Sequence, residues 1–242
     1  MSVTVGEGRQ LLIAERFGAT LQGEGPSAGH PAVFVRLSRC NLACGAADGA
    51  AFVCDTPYTW DRTRFDLAAE SRRESVEEVA AWVLAHPVDL VVITGGEPLL
   101  QQVALVELVT RLADAGRRVE IETNGTITPA PALLERAWCN VSPKLASSGM
   151  AERRRVVPAA LRALAASGRA VFKFVACDRA DVEEIARLVE EFALTPVWIM
   201  PQGTDPQTLM IGGRELAEEV IARGWHLTLR LHVLLWGDER GR

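Results

Sequence analysis

The stretch DLVVITGGEPLLQ, residues 89–101, joins a strand, a turn and the start of a helix. Residues 90–93 are apolar, and β-branched side chains fill residues 91–94, which is typical of a buried strand. A Gly-Gly turn follows, and Pro98 suits the first turn of a helix that we predict over residues 98–115. A buried strand that runs directly into a helix is the repeating unit of a parallel α/β fold.

The same unit recurs along the chain. We predict strands over residues 32–38, 89–94, 118–123, 138–143, 170–176, 196–200 and 226–233, and helices over residues 75–86, 98–115, 130–137, 158–167, 180–192 and 206–223. Ser75 and Glu78 form a predicted capping box at the start of one helix, and Gly116 suits the end of another. This order predicts a single α/β domain over residues 1–242, built either as a complete or partial (βα) barrel or as an open doubly wound sheet.

The composition excludes several classes of protein. A formal net charge of −5 argues against a nucleic-acid-binding protein, which needs a basic surface. No apolar run approaches the ~18 residues that a membrane span requires. The N-terminal segment 1–17 lacks the basic and then apolar layout of a secretory signal. We therefore expect a cytoplasmic protein with no nucleic-acid or membrane partner, in which clustered cysteines bind a metal or act in catalysis.

Polar groups gather just beyond the C-terminal ends of the predicted strands. The segments that follow or end these strands are SRCNLAC, TGGEP, ETNG, SPK, MPQG and RLH. In parallel α/β folds the loops at that edge converge on the active site. Because so many strands end in unusual polar residues, the sequence predicts one shared site at this edge of the sheet.

Three cysteines, Cys40, Cys44 and Cys54, follow the first predicted strand, with gaps of three and nine residues between them. Structural zinc usually takes four Cys or His ligands in tight pairs, and no adjacent His completes this set. Three thiolates can instead hold a 4Fe–4S cluster and leave one iron open for another ligand. Cys139 and Cys177 are predicted to be small buried hydrophobic residues. The trio therefore favours an iron–sulfur cluster over zinc.

Cysteines after the first strand and a GGEP turn after the second resemble the radical S-adenosylmethionine enzymes. This chain lengthens the gap before the third cysteine to nine residues, GAADGAAFV, at a modest entropic cost. The resemblance narrows to the 7-carboxy-7-deazaguanine synthase family, through segments that run from residue 21 to the C-terminus. These are LQGEG (21–25), FVRLSRCNLAC (34–44), CDTPYTW (54–60), TGGEPLLQ (94–101), ETNGT (122–126), VSPKL (141–145), KFV (173–175), MPQG (200–203) and LHVLLWGDERGR (231–242).

This resemblance implies a fold, a reaction and a set of partners. The fold is a partial or modified TIM-like barrel of the radical S-adenosylmethionine type. The reaction converts 6-carboxy-5,6,7,8-tetrahydropterin to 7-carboxy-7-deazaguanine with loss of ammonia, for 7-deazapurine and queuosine biosynthesis. It uses a 4Fe–4S cluster, S-adenosylmethionine, which is regenerated, and Mg²⁺. A homodimer and an electron donor such as flavodoxin or ferredoxin are further implications of the family.

The resemblance also assigns candidate site residues, with the cluster and Mg²⁺ both in loop 38–60. The cluster ligands are Cys40, Cys44 and Cys54, and the magnesium residues are Thr56 and Asp55. Candidate contacts to S-adenosylmethionine are Gly95, Gly96, Glu97, Asn124, Ser142, Lys144 and Gln202. Candidate contacts to the pterin are Gln22, Glu24, Arg36, Thr94 and His232.

Several of these residues have simpler explanations. Arg36 shares a strand face with Phe34 and Ser38, so it faces either the interior or solvent. Asp55 can instead form an Asx-type turn before Pro57.

The segment containing Gln22 and Glu24 can be a flexible glycine-rich loop, and Lys144 can be a surface charge. His232 is predicted on an interior strand face from the period of two in residues 226–233. Two other functions also compete. One is a different radical enzyme, such as a glycyl-radical activase, which needs a docking surface for a polypeptide. The other is a non-catalytic, metal-stabilised binding module.

Overall fold

The computed structural model describes residues 9–241, so residues 1–8 and Arg242 of the predicted domain lie outside the described residues. One sheet runs through the described chain, in the order β3-β1-β2-β4-β5-β6-β7-β8-β9. Its strands are β1 (Gln10–Leu21), β2 (Pro31–Leu37), β3 (Arg72–Ser75), β4 (Leu90–Gly95), β5 (Arg118–Thr123), β6 (Ala137–Val141), β7 (Ala170–Ala176), β8 (Val197–Pro201) and β9 (His226–Leu227). Strand β1 is antiparallel to both of its neighbours, whereas the pairs from β2 to β9 are parallel.

The helices connect the parallel strands. They are α1 (Val76–Leu84), α2 (Gln102–Asp114), α3 (Pro131–Leu134), α4 (Glu152–Arg155), α5 (Pro158–Ala166), α6 (Arg179–Phe192), α7 (Pro206–Ala222) and α8 (Leu231–Trp236), with short 3₁₀ helices at Gly25–Ser27, Pro57–Thr59, Pro98–Gln101 and Ala146–Ser148. The predicted capping box of α1 is confirmed, since Glu78 N donates to Ser75 Oγ at 3.2 Å and Ser75 N donates to Glu78 Oε2 at 2.8 Å. Among residues 9–241, no helix has both the length and the apolar character to cross a membrane.

Alternate residues along the strands face two different regions: the apolar core between the sheet and the helices, and the barrel interior on the other face of the sheet. On β4, Val91 and Ile93 pack in the main apolar cluster with the helices, whereas Leu90 and Val92 belong to a small cluster on the other face. Thr94 continues that second face. The main core therefore lies between sheet and helices, and the interior carries the polar groups of the site.

Two parts of the sequence prediction differ from the structure. Strands β1 and β3 were not predicted, and they extend the sheet on the antiparallel side. The predicted strand over 226–233 is wrong: β9 ends at Leu227, and residues 231–236 form helix α8. The chain leaves the sheet because Leu231 N donates to Gly23 O, a partner outside the sheet, at 2.8 Å.

The described strands form an open sheet, and the loop between β1 and β2 contacts the segment that follows the last strand, β9. Residues 22–30, which connect β1 to β2, reach the segment that follows β9. Gly25 N donates to Thr228 Oγ1 at 3.0 Å, in addition to the bond between Leu231 and Gly23. The arrangement is a partial (βα) barrel, in agreement with the predicted fold class.

Candidate active site

A cavity lies at the C-terminal ends of the parallel strands, where the sequence predicts the site. Its lining includes all of the predicted site residues except Glu97: Gln22, Glu24, Arg36, Cys40, Cys44, Cys54, Asp55, Thr56, Thr94, Gly95, Gly96, Asn124, Ser142, Lys144, Gln202 and His232. These residues come from loops at both ends of the sheet and from the strand ends between them. The fold therefore brings the scattered segments of the sequence to one place.

Glu97 lies beneath the cavity and has a structural role in its turn. The side chain is fully buried, and its carboxylate accepts hydrogen bonds from Leu99 N at 3.0 Å, Thr123 Oγ1 at 2.8 Å and Asn124 N at 2.7 Å. The first of these bonds caps the 3₁₀ helix that begins at Pro98. The other two fix the end of β5 against the end of β4.

The glycines of the same turn are required by close packing. A Cβ atom on Gly96 would lie 2.2 Å from Arg39 O, and one on Gly95 would lie 2.6 Å from Leu37 O. Both distances are far inside van der Waals contact, so only glycine fits. The turn after β4 is thereby pressed against the backbone that leads into the first cysteine.

The three cysteines of loop 38–60 share the cavity. Cys40 Sγ accepts a hydrogen bond from Leu42 N at 3.4 Å, and Cys54 Sγ accepts one from Trp60 Nε1 at 3.4 Å. Burial raises the pKa of the Cys40 thiol to about 12 and also raises that of Cys44. Metal binding must therefore displace protons from these thiols. Among residues 9–241, no three His, Cys, Asp or Glu side chains are placed so that they could hold one metal ion.

This set of donors fits an iron–sulfur cluster. Thiolates are the usual ligands of such clusters, and N–H groups directed at the sulfur atoms tune them. The N–H groups of Leu42 and Trp60 already point at two of the three sulfurs. Cys139 is buried in strand β6 and Cys177 follows β7, and neither belongs to the cavity lining.

The nine residues between Cys44 and Cys54 are held by the loop that follows β6. Gly45 N donates to Ser148 O at 3.0 Å, and Ala51 N donates to Ser147 O at 2.8 Å. Nearby, Arg154 Nη2 donates to Asn41 O at 2.8 Å. The long gap is therefore a docked segment, which carries the chain from the second cysteine to the third.

A cluster of charged side chains forms part of the cavity lining and reaches the cysteine loop at Asp55. The Glu24 carboxylate pairs with Lys173 through Oε2 and with Arg230 Nε through Oε1, the latter at 3.1 Å. Burial alone raises the pKa of Glu24, but the charges of Lys173 and Arg230 outweigh it, so that its pKa lies below the ordinary value. Arg230 also donates to Gly203 O at 3.2 Å and to Asp55 Oδ2 at 2.6 Å. Glu24 and Asp55 are thus linked through one guanidinium.

Lys173 and Arg230 had no role in the sequence prediction, although the sequence carries a signal for the first. Lys173 stands between Phe172 and Phe174 in an otherwise apolar strand, and those two side chains are fully buried in the main core. A charge at the centre of such a strand must face a polar interior. Glu122, which accepts from Gln22 Nε2 at 3.2 Å, is a further lining residue that was not predicted.

Arg36 faces the cavity rather than solvent. It lies opposite Thr94 in the register of β2 and β4. Its Nε donates to Glu15 Oε1 at 2.7 Å. The loop containing Gln22 and Glu24 is also ordered by contacts, since Gln22 N donates to His30 O at 2.9 Å.

The remaining predicted residues line the cavity near the ends of β5, β6 and β8. Asn124 Nδ2 donates to Asn41 Oδ1 at 2.9 Å, which links β5 to the cysteine loop. Lys144 is half-buried and donates to Ser142 Oγ at 3.0 Å, so it is not simply an exposed surface charge. Gln202 N donates to Ala176 O at 2.9 Å, which leaves its side chain at the cavity.

His232 reaches the cavity from helix α8 and not from the predicted strand. Burial lowers the pKa of His232 and outweighs the opposing effect of Glu24, so the imidazole is neutral at pH 7. The ring lies directly against Gly23, where an added Cβ atom would be 2.0 Å from Nδ1. This contact fixes the loop after β1 against the segment after β9.

We expect Gly23→Ala to lower the free energy of unfolding by about 1–3 kcal/mol, because it overpacks this contact. Truncating the opposing ring in the double variant Gly23→Ala/His232→Ala should recover most of that loss. Denaturant unfolding of the four proteins of this cycle measures the coupling. Gly29→Ala is the control: no atom lies within 4 Å of its Cβ, and only the backbone angle of +86° opposes the change, at about 1 kcal/mol. Additive effects of the two changes would contradict the contact.

The amino-acid sequence is similar to those of known proteins that share one name. The chain is 38% identical over 230 residues to the 7-carboxy-7-deazaguanine synthase of Pyrobaculum aerophilum, covering 93% of this chain and 94% of that protein. It is 38% identical over 259 residues to the protein of the same name from Halobacterium salinarum, covering 96% and 93%. No family model matches the chain.

Solved structures agree with the sequence relatives. The crystal structure of QueE from Escherichia coli superposes with a TM-score of 0.69 at 27% identity, covering 92% of this chain and 95% of that one. Streptococcus suis SuiB bound to S-adenosylmethionine has a TM-score of 0.54 at 14% identity, covering 78% and 47%, and shares the fold alone. With relatives of the same name matched along nearly their whole length, the chain belongs to the 7-carboxy-7-deazaguanine synthase family.

Proposed function

We propose that this protein is a radical S-adenosylmethionine lyase that converts 6-carboxy-5,6,7,8-tetrahydropterin to 7-carboxy-7-deazaguanine with loss of ammonia. The observation that carries the proposal is the cavity itself. Its lining combines three cysteines with Arg36 and the Glu24 charge cluster. Family membership supports this function over a glycyl-radical activase or a non-catalytic binding module.

Cys40, Cys44 and Cys54 would hold a 4Fe–4S cluster with one iron open to the amino and carboxylate groups of S-adenosylmethionine. When bound, these cofactors would supply the radical chemistry needed to break a C–H bond of the substrate, which no side chain offers. Residues at the strand ends would bind the rest of S-adenosylmethionine. These are Gly95, Gly96, Asn124, Ser142, Lys144 and Gln202, with Glu97 supporting their turn.

The other lining residues suit a carboxylated pterin. Arg36 offers a guanidinium fork, whose geometry matches a carboxylate. Gln22 and Glu24 offer a side-chain amide and a carboxylate to the ring nitrogens, and Thr94 and His232 add a hydroxyl and a neutral imidazole. A carboxylate oxygen has two lone pairs, so Glu24 can accept from the substrate while it pairs with Lys173 and Arg230.

Magnesium would bind in this cavity, through Thr56 and with Asp55 close by. Mg²⁺ prefers oxygen ligands and keeps several waters, so one or two protein groups and a substrate oxygen are enough. Thr56 Oγ1 lies 3.6 Å from Cys54 Sγ, which puts a hydroxyl beside the third cysteine. The pairing of Asp55 with Arg230 orients its carboxylate at the same cavity.

We expect Thr56→Val to raise the Mg²⁺ concentration needed for half-maximal activity by about 10-fold or more, because it removes a ligand oxygen but keeps the shape of the side chain. Titration of Mg²⁺ into the anaerobic assay measures this, with iron content determined on the same samples. Thr110→Val on helix α2 is the matched control, since its hydroxyl bonds only Val106 O within the described residues. An unchanged Mg²⁺ requirement in Thr56→Val would remove Thr56 from the site.

The remaining partners are those that the family resemblance implies. We propose that a flavodoxin or ferredoxin supplies the electron that reduces the cluster, that the enzyme acts in the cytoplasm as a homodimer, and that residues 1–242 form one domain. The product would enter 7-deazapurine or queuosine biosynthesis.

The decisive assay is anaerobic incubation of the reconstituted protein with S-adenosylmethionine, a reductant, Mg²⁺ and the carboxylated tetrahydropterin. We expect 7-carboxy-7-deazaguanine and ammonia in equal amounts. Absence of this product, together with formation of 5′-deoxyadenosine from S-adenosylmethionine in the presence of some other substrate, would defeat the proposal.

A further inference from the structure

Arg240, near the C-terminus, connects the tail to the opposite end of the sheet. Its Nε donates to Glu15 Oε2 at 2.9 Å, and both of its Nη groups donate to Glu70 Oε2 at 3.2 Å. The guanidinium carbon also lies 3.7 Å from the centre of the Tyr58 ring. One side chain therefore contacts strand β1, the loop before β3 and the 3₁₀ helix Pro57–Thr59 within the cysteine loop.

Glu15 is the centre of this network and is shared with the cavity. While Oε2 accepts from Arg240, Oε1 accepts from Arg36 Nε at 2.7 Å and from Tyr58 OH at 2.5 Å. Burial raises the pKa of Glu15, but Arg36, Tyr58 and Arg240 outweigh it, so the carboxylate stays charged. Arg240 thus binds the same carboxylate that orients Arg36.

The contacts of Arg36 leave one edge of its guanidinium open. Glu15 engages Nε, and the ring of Phe17 lies 5.7 Å from the guanidinium carbon. Within residues 9–241, no hydrogen bond occupies the two Nη groups. An arginine held at Nε presents its Nη pair in a fixed direction, which is the arrangement for bidentate carboxylate binding.

We propose that Arg240 is a positioning residue that holds Glu15 and thereby orients Arg36 for the carboxylate of the substrate. This role rests on the proposed function, in which Arg36 binds that carboxylate. It gives the C-terminal tail a part in substrate selection without contact to the reacting atoms. Without Arg240, Glu15 keeps Arg36 and Tyr58 but loses the partner on its other oxygen, so Arg36 gains freedom of movement.

The kinetic test compares Arg240→Ala, Arg240→Lys and the control Arg136→Ala, which breaks a surface pair with Asp114 at 2.5 Å. Arg240→Ala should raise KM for the carboxylated pterin about 10-fold, with kcat changed less than about 2-fold. Arg240→Lys should restore part of the loss because it keeps the charge, and Arg136→Ala should match wild type. A tetrahydropterin without the 6-carboxylate should inhibit wild type and Arg240→Ala equally. Equal weakening of both ligands, or an unchanged KM, overturns the proposal.

A second measurement is independent of turnover. Tyr58 is the only tyrosine in the chain, so 3-fluorotyrosine introduces a single ¹⁹F nucleus beside Arg240. Its resonance should move in Arg240→Ala and stay in Arg136→Ala; an unmoved resonance in Arg240→Ala overturns the contact.

Wild-type protein that forms no product defeats the proposed function, whereas a productive wild type with unchanged KM in Arg240→Ala defeats only the role of Arg240.

Discussion

Replacing Cys54 by Ala is expected to abolish both iron binding and product formation. The variant keeps Cys40 and Cys44, but two thiolates in a cavity open to solvent cannot hold a cluster that needs at least three. The remaining thiols would stay protonated, because burial raises the pKa of both. The measurement is iron and sulfide content after anaerobic reconstitution, together with the charge-transfer absorbance of the cluster and the amount of product.

Cys177→Ala is the matched control for this change. Cys177 is also a half-buried free cysteine, but it lies outside the cavity lining, and Cys177→Ala keeps the hydrogen bond that its backbone N–H donates to Asp181 Oδ2 at 2.8 Å. It should keep the full cluster content and activity. Full iron and sulfide content in Cys54→Ala would exclude Cys54 as a ligand. The nine-residue segment before Cys54 would then not serve to bring a third ligand to the cluster.

Glu24→Gln is the second substitution with a large expected effect. It leaves the buried cations of Lys173 and Arg230 without the carboxylate that lies between them. Removing one partner of a buried ion pair costs about 3–5 kcal/mol. A loss of about 3 kcal/mol in transition-state binding corresponds to roughly 100-fold in kcat/KM. We therefore expect a lower melting temperature and a fall in kcat/KM of at least that size, with iron content unchanged.

Two further variants separate stability from catalysis. The double variant Glu24→Gln/Lys173→Met removes the uncompensated charge, so it should regain part of the stability but none of the activity. Glu107→Gln is the surface control, since its pair with Arg111 is partly exposed and is worth at most about 1 kcal/mol. Wild-type kcat/KM in Glu24→Gln would show that this carboxylate does not serve the substrate.

The parallel part of the fold could be predicted because its strands are buried on both faces. The predicted ranges of β5 and β7 agree with the structure to the residue. Strand β1 was missed because its pairing with β2 contains two register shifts, between Ile13 and Glu15 and between Phe17 and Thr20, which break the period of two in its burial. Residues 226–233 have that period, but no strand pairs with them after Leu227. Helix α8 begins at Leu231 instead.

The candidate site was predictable where chemistry is local in sequence and not where it depends on distant pairs. The cysteines and the GGEP turn can be recognised in the sequence by their residue types and spacing. The charge cluster does not, because Glu24 lies 149 positions from Lys173 and 206 from Arg230. Its members can be recognised only when the fold brings them together. The same holds for Arg240 and Glu15, which are 225 positions apart.

In the proposed mechanism, three cysteine thiolates would leave one iron of a cluster open to S-adenosylmethionine. Anaerobic Mössbauer spectroscopy of ⁵⁷Fe-reconstituted protein, before and after addition of S-adenosylmethionine, tests it most directly. We expect a 4Fe–4S spectrum in which the signal of a single iron site changes when S-adenosylmethionine is added. Protein that takes up no iron and sulfide, yet folds and forms product, would contradict it.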